Sequence, residues 1–193
     1  MVVLKRSWCI AILAALPGAL MLAPARGQVV ASAYGPAHAL WAGAEYSYFN
    51  ASFPYQGGQR IGGVGVFADY HVTPIIAVEG DAQFLPFGGF HGETESSFLA
   101  GPKAFFLARG RFRPYGKVLV GVGNIHYPFA IGNANYLSLA PGAGTEYSIG
   151  RRFSLRAEYE YQMWLNSPGY ANEPDHELTP NGFHVGLAYR IFR

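Results

Sequence analysis

After residue 27, nearly every segment of this chain alternates with period two between an apolar face and a face of glycine, serine and charge. This feature limits the possible folds more than any other, because only a β-strand points successive side chains to opposite sides. Eight such segments follow one another, at about 40 to 49, 61 to 71, 75 to 85, 96 to 107, 114 to 125, 136 to 147, 153 to 165 and 182 to 192. Clusters of Gly, Pro, Asn and charge separate them, which predicts four antiparallel hairpins. No segment carries a helical stripe, and no apolar run beyond residue 27 reaches the roughly 18 residues of a spanning helix.

The sorting of residues between the two faces says more than the alternation itself. On the first segment Leu40, Ala42, Ala44, Tyr46 and Tyr48 oppose Gly43, Glu45 and Ser47. On the third, Ile76, Val78, Ala82 and Phe84 oppose Glu79, Asp81 and Gln83. The seventh sets Phe153, Leu155, Ala157, Tyr159, Tyr161 and Met163 against Ser154, Arg156, Glu158, Glu160 and Gln162. A soluble sandwich also alternates, but its polar face is solvated and rich in Lys, Thr, Asn and Glu. Here that face is rich in glycine (Gly63, Gly65, Gly121, Gly123, Gly142, Gly144), with charges of both signs. Charged residues make up only 13% of the chain, about half the usual share. Small residues and mixed charges suit a crowded lumen, with the apolar face turned to lipid.

The fold expected is therefore all-β, an eight-stranded antiparallel transmembrane up-and-down β-barrel over residues 39–193, after a short segment at 28–38. Strands of roughly 10 to 12 residues match the length that crosses a bilayer at a tilt, and the sheet must close because open edges cannot sit in lipid. Turns at 72–74, 108–113 and 148–152 are short, and loops at 50–60, 86–95, 126–135 and 166–180 are longer. Arg109, Arg111, Arg113, Arg151 and Arg152 fall in the turns, whereas Glu93, Glu95, Glu173, Asp175 and Glu177 fall in the loops. Short turns are expected to face the periplasm and long loops the outside. Tyr46, Tyr48, Tyr70, Tyr115, Tyr159, Tyr161, Trp164 and Tyr189 recur near strand ends and read as an interfacial girdle rather than a sugar-binding platform. Pro102 and Pro141 lie inside strands, where each removes a ladder hydrogen bond, so β-bulges are expected there.

Residues 1–27 have the form of a cleaved secretory signal peptide. Lys5 and Arg6 precede an apolar stretch from Ile10 to Leu22, and Ala23-Pro24-Ala25-Arg26-Gly27 supplies small residues for a cut that leaves Gln28 first, or alternatively for a cut after Ala25. Cys9 is the only cysteine and lies in this leader, so neither a disulfide nor thiol chemistry is expected of the mature chain. The chain's formal charge is +2, and loss of Lys5, Arg6 and Arg26 leaves 11 bases against 12 acids, or −1. That offers no basic surface to nucleic acid.

The last strand reads His184-Val185-Gly186-Leu187-Ala188-Tyr189-Arg190-Ile191-Phe192-Arg193. His184, Gly186, Tyr189 and Ile191 fill the form of the C-terminal assembly signal of bacterial outer-membrane barrels, with the terminal aromatic, Phe192, one place late. With Leu99-Ala100-Gly101-Pro102-Lys103 and the run Pro114 to Gly123, the chain beyond residue 38 resembles the bacterial outer-membrane β-barrel domain family, and is similar to the transmembrane half of OmpA-like proteins. The resemblance implies an outer-membrane location, with lipid and lipopolysaccharide as neighbours. It also implies barrel-assembly machinery as a partner during biogenesis, a monomeric chain and no cofactor.

The expected lumen holds Glu45, Asp69, Glu79, Asp81, Glu146, Glu158 and Glu160 with Lys103, Lys117, Arg156 and Arg190. An eight-stranded barrel is narrow enough for side chains to fill, so these charges must pair. The resemblance to OmpA-like barrels implies an ion-pair plug that gates a small path; a sealed polar core without transport is the alternative. Two other classes stay open. A soluble secreted or periplasmic lipid-binding barrel would invert every face. A lipid A-modifying barrel enzyme would need a Ser and His together, for which His126 and Ser138 are the candidates, although no His-any-Ser pair occurs on one strand face. Asn172, Glu173, Asp175, His176 and Glu177 lack the spacing of a calcium loop and read as a solvated acidic loop. No metal site and no catalytic residue are expected.

Overall fold

The computed structural model describes residues 37–51, 59–89, 92–106, 111–127, 132–167 and 178–192. The leader and the acidic stretch Asn172–Glu177 lie outside the described residues. The strands are β1 (Ala39–Ala51), β2 (Gln59–His71), β3 (Ile76–Phe87), β4 (Thr94–Phe105), β5 (Phe112–Tyr127), β6 (Gly132–Ser148), β7 (Phe153–Tyr161), β8 (Met163–Leu165) and β9 (Asn181–Phe192).

From β1 to β7 each strand pairs antiparallel with its sequence neighbour, β7 also pairs with β9, and β9 returns to pair with β1, which closes the sheet into a barrel. β7 and β8 form one stave of eight, because both pair with β6 in a single register, Gly142↔Glu160 below the break and Leu139↔Met163 above it. The break at Gln162 lies where the ladder from β6 has Ala140 and Pro141 to offer. Proline has no N–H to donate, so the ladder opens there. Pro102 acts in the same way: Ala100↔Val120 and Lys103↔Lys117 flank a gap in the β4–β5 pairing at Gly101 and Pro102. The register runs unchanged through both prolines, so the bulges expected at these points do not form; one lost bond costs less than re-aiming every residue beyond it.

The bulges lie elsewhere. Between β2 and β3 the register shifts at Gly62/Val64. Between β1 and β9 it shifts at Leu40/Trp41: Trp41 pairs with Arg190 but Leu40 with Phe192, so Ile191 is the extra residue. That bulge accommodates the late terminal aromatic, and it turns both Ile191 and Phe192 outward.

The inward face is the polar one. Outward side chains such as Val64, Val66, Val120, Val185 and Leu187 are about half exposed, which in lipid is a solvated state for them. Aromatic pairs flank this band, Phe84 with Phe98 and Tyr159 with Phe183 at one end and Phe153 with Tyr189 at the other. Tyr115 and Trp164 do not belong to the girdle; both point inward and are 1% exposed. Glycines on the inner face make room for such large groups. A Cβ on Gly123 would stand 2.4 Å from the Trp164 indole, and one on Gly43 would stand 2.4 Å from Phe67.

The third hairpin is longer than expected, with 16 residues in β5 and 17 in β6. Much of the loop expected at 126–135 is strand. Outward residues pass from Val118, Val120 and Val122 to Asn124 and His126, which bond to Asn135 and Asn133 across the ladder. Paired side chains on the outside and the buried Ile125 and Tyr136 on the inside let this hairpin stand above the apolar band.

Candidate functional site

Ionic side chains from seven strands, β1 to β7, meet in the lumen because their inward positions bring them together. Lys103 Nζ lies 3.0 Å from Asp69 Oδ2, 3.0 Å from Glu79 Oε2 and 2.7 Å from Glu146 Oε1. Lys117 Nζ lies 2.8 Å from Glu79 Oε1, 2.5 Å from Glu158 Oε1 and 2.9 Å from Glu160 Oε2. Arg156 Nη2 donates to Glu79 Oε1 at 2.5 Å and to Glu158 Oε2 at 2.7 Å, and its Nε lies 3.9 Å from Glu45 Oε2. Glu79 is thus shared by three cations. Tyr115 Oη donates to Glu158 at 2.5 Å, and the Tyr115 ring lies 4.1 Å from Lys103 Nζ.

The strand register makes this cluster obligatory. Lys103 and Lys117 are direct cross-strand partners, as are Asp69 and Glu79. Like charges placed so are destabilising by themselves. Across the lumen the lysine pair meets the acids, and each repulsion is covered by several short contacts. A charge this deep is tolerable only with such partners.

Nine of the eleven residues expected in the lumen network join by an ion pair or charged hydrogen bond: Glu45, Asp69, Glu79, Lys103, Lys117, Glu146, Arg156, Glu158 and Glu160. Asp81 faces inward and is buried, at the next inward position after Glu79 on β3. Arg190 stands apart at the turn end, with its guanidinium 5.7 Å from the Trp41 ring.

Three inward-facing charged residues escape a reading by sequence. His184, expected only as part of the assembly signal, lies inward with Nδ1 2.7 Å from Glu45 Oε1 and 2.9 Å from Ser47 Oγ. Its alternation with Gly186 and Ala188 carried that signal. Arg113, expected in a turn, is the second residue of β5 and points inward, 3.7 Å from Glu146 and 3.9 Å from the Phe105 ring centre. Glu95, expected in a loop, belongs to β4 and is buried. Glu93 stays outside the strand but is also buried, and burial pushes its carboxyl up to about 7.

Glu158, Glu160 and His184 lie close enough to hold a metal ion. Lys117 and Arg156 already occupy the two glutamates, and their charge opposes a cation.

Apolar layers lie above and below the ionic one. Phe49, Ala51, Ile61 and Leu85 pack together towards the long loops, beside a second group of Ile125, Tyr136, Trp164 and Leu178. Towards the short turns lie Trp41, Phe67 and Ala188, with Ala77, Phe105 and Tyr115. The side chains of Lys103, Lys117, Glu79, Arg156 and Glu158 are all 0% accessible, so no water-sized void touches them.

A polar, filled lumen inside an apolar wall is the architecture of a small outer-membrane barrel, and the sequence comparison agrees. Residues 11–190 match the model of the outer membrane protein beta-barrel domain. The chain belongs to this family. As a member it is an outer-membrane β-barrel protein. Among solved structures, Neisserial surface protein A is similar with a TM-score of 0.61 and 13% identity, over 78% of this chain and 96% of that one. Ail of Yersinia pestis gives a TM-score of 0.58 and 18% identity, over 81% of this chain and 100% of that one. OprG from Pseudomonas aeruginosa gives 0.52 and 13%, over 83% and 99%. At these identities the likeness is one of fold. No curated protein matches the sequence.

Proposed function

We propose that this protein is a structural component of the outer membrane whose lumen is stoppered by its own side chains, with at most a small gated path. The observation that carries the reading is the ionic layer of inaccessible side chains held between two apolar layers. For an ion to pass, Lys103, Lys117 and Arg156 must release several carboxylates at once, and each broken buried pair costs about 3 to 5 kcal/mol. A soluble lipid-binding barrel needs an apolar interior, and this interior is charged. A lipid A-modifying activity gains no support from His126 and Ser138: His126 is exposed on the outer wall, and Ser138 is buried in the lumen. The protein works as a non-catalytic monomer, inserted by the barrel-assembly machinery through its last strand. Conductance of refolded protein in a planar bilayer tests the reading. Silence or rare small openings are expected, and large, stable open-channel steps would make it a porin instead.

A further inference from the structure

We propose that a pocket on the outer wall of the barrel, at its long-loop end, binds the phosphorylated sugar headgroup of an outer-leaflet glycolipid of the lipopolysaccharide type. The inference rests on the outer-membrane placement with the long loops outside, but not on whether the lumen conducts.

The pocket has a volume of about 450 Å³, and its outward lining is Tyr48, Asn50, Arg60, Tyr159, Asn181 and Phe183. Four strands bring them together through register alone. Asn50 pairs with Arg60 on one side and Asn181 on the other, Tyr48 pairs with Phe183, and Phe183 pairs with Tyr159. The site therefore has two rows. The lower is aromatic (Tyr48, Phe183, Tyr159), and the upper is polar (Arg60, Asn50, Asn181). Below both rows the wall is apolar, with Val64 and Val185. This is the sequence of environments that a lipid presents from acyl chain to headgroup.

The chemistry selects an anion carried on a sugar. Arg60 is the one charged residue that lines the pocket, and among the described residues it makes no ion pair. Its guanidinium sits 5.9 Å from the centre of the Tyr48 ring, and the planar fork of its N–H groups matches phosphate oxygens. Asn181 is held in place, accepting from Tyr159 Oη at 3.1 Å and donating to the Thr179 carbonyl at 3.0 Å. The amides of Asn50 and Asn181 suit sugar hydroxyls, which both donate and accept. Tyr159 and Phe183, edge to face at 5.0 Å, offer flat apolar surface to the C–H face of a pyranose ring.

Binding is measured on the refolded full barrel in detergent, by native mass spectrometry. The probes are lipid A, its dephosphorylated form, phosphatidylglycerol and glucosamine 1-phosphate, and heat-modifiable migration checks that each variant is folded. Lipid A should bind about tenfold tighter than its dephosphorylated form, the worth of one charge-assisted contact. Arg60→Gln should remove that difference, and Arg60→Lys should keep part of it. Should Arg60→Gln not fold, Asn181→Ala carries the test and should weaken both lipid A forms. Phosphatidylglycerol binding as tightly as lipid A would reduce the pocket to a general lipid contact. Glucosamine 1-phosphate binding as tightly would make the ligand a soluble sugar phosphate. Either result overturns the proposal, as does unchanged lipid A binding in the Arg60→Gln or Asn181→Ala barrel. Arg60 lies outside the lumen, so none of these outcomes alters the conductance test above.

Discussion

Replacing Lys103 by Met keeps the length of the unbranched stem as far as Cε and deletes the ammonium group. In the structure that group is within 3.0 Å of Asp69, Glu79 and Glu146, and its side chain is wholly buried. The three acids lose unequally. Glu79 keeps Lys117 at 2.8 Å and Arg156 at 2.5 Å, and Glu146 keeps Arg113 at 3.7 Å. Asp69 has no second cation within 4 Å among the described residues, so most of the penalty falls on it. Breaking a buried pair by removing one partner costs about 3 to 5 kcal/mol, and replacing both partners by apolar groups is often close to neutral. Lys103→Met should therefore lower the unfolding free energy by about 3 to 5 kcal/mol, and Lys103→Met with Asp69→Leu should recover a large part. The coupling between the two positions should exceed about 1 kcal/mol. Urea unfolding of the barrel in lipid vesicles, followed by tryptophan fluorescence, measures all four corners of the cycle. A loss below about 1 kcal/mol for the single variant would refute the reasoning, because it would mean that water reaches the ammonium group. Additive losses in the double variant would refute the assignment of the penalty to Asp69.

Two further outcomes follow from the last strand and from the rim. Tyr189 packs on Phe153 at 5.1 Å and accepts a hydrogen bond from Arg152 at 3.0 Å, so Tyr189→Ala or removal of 189–193 should lower the folded yield seen as heat-modifiable migration on a gel. Tyr189→Phe keeps the ring and should fold nearly normally; equal yields from all of these variants would show the motif match to be incidental. Burial raises the Glu93 carboxyl from 4.5 to about 7, so the folded barrel binds the proton more tightly than the unfolded chain. Stability should then fall as pH rises from 4.5 through about 7, and Glu93→Gln should flatten that part of the profile measured by urea unfolding. An unchanged slope in Glu93→Gln would assign the pH dependence to other groups.

The strand count, their order and the face each turns to lipid were legible in the sequence because all three are local properties. Alternation needs only neighbours two apart, and the inverted polarity of Glu79, Asp81 and Gln83 against Ile76, Val78 and Phe84 declares which side faces the lumen. Strand ends were less legible. Arg113 and Glu95 look like turn and loop charges because nothing local shows that a strand continues through them; their partners, Glu146 for Arg113 and the lumen wall for Glu95, are far away in the chain. The same holds for Tyr115 and Trp164, whose phenol and indole read as girdle groups until the glycines opposite are seen to make room for them.

By itself, then, the sequence determined a closed β-barrel with a charged interior and an apolar wall, because a period-two pattern of that polarity has no other way to bury its backbone in lipid. Tertiary structure alone decided which charges meet. Lys103 and Lys117 stand side by side on neighbouring strands, and each reaches acids on strands far from it in sequence. That pairing depends on the register and closure of the whole ring, a long-range property. The pocket around Arg60 has the same origin, since Tyr48, Arg60, Tyr159 and Asn181 become neighbours only when β9 closes onto β1.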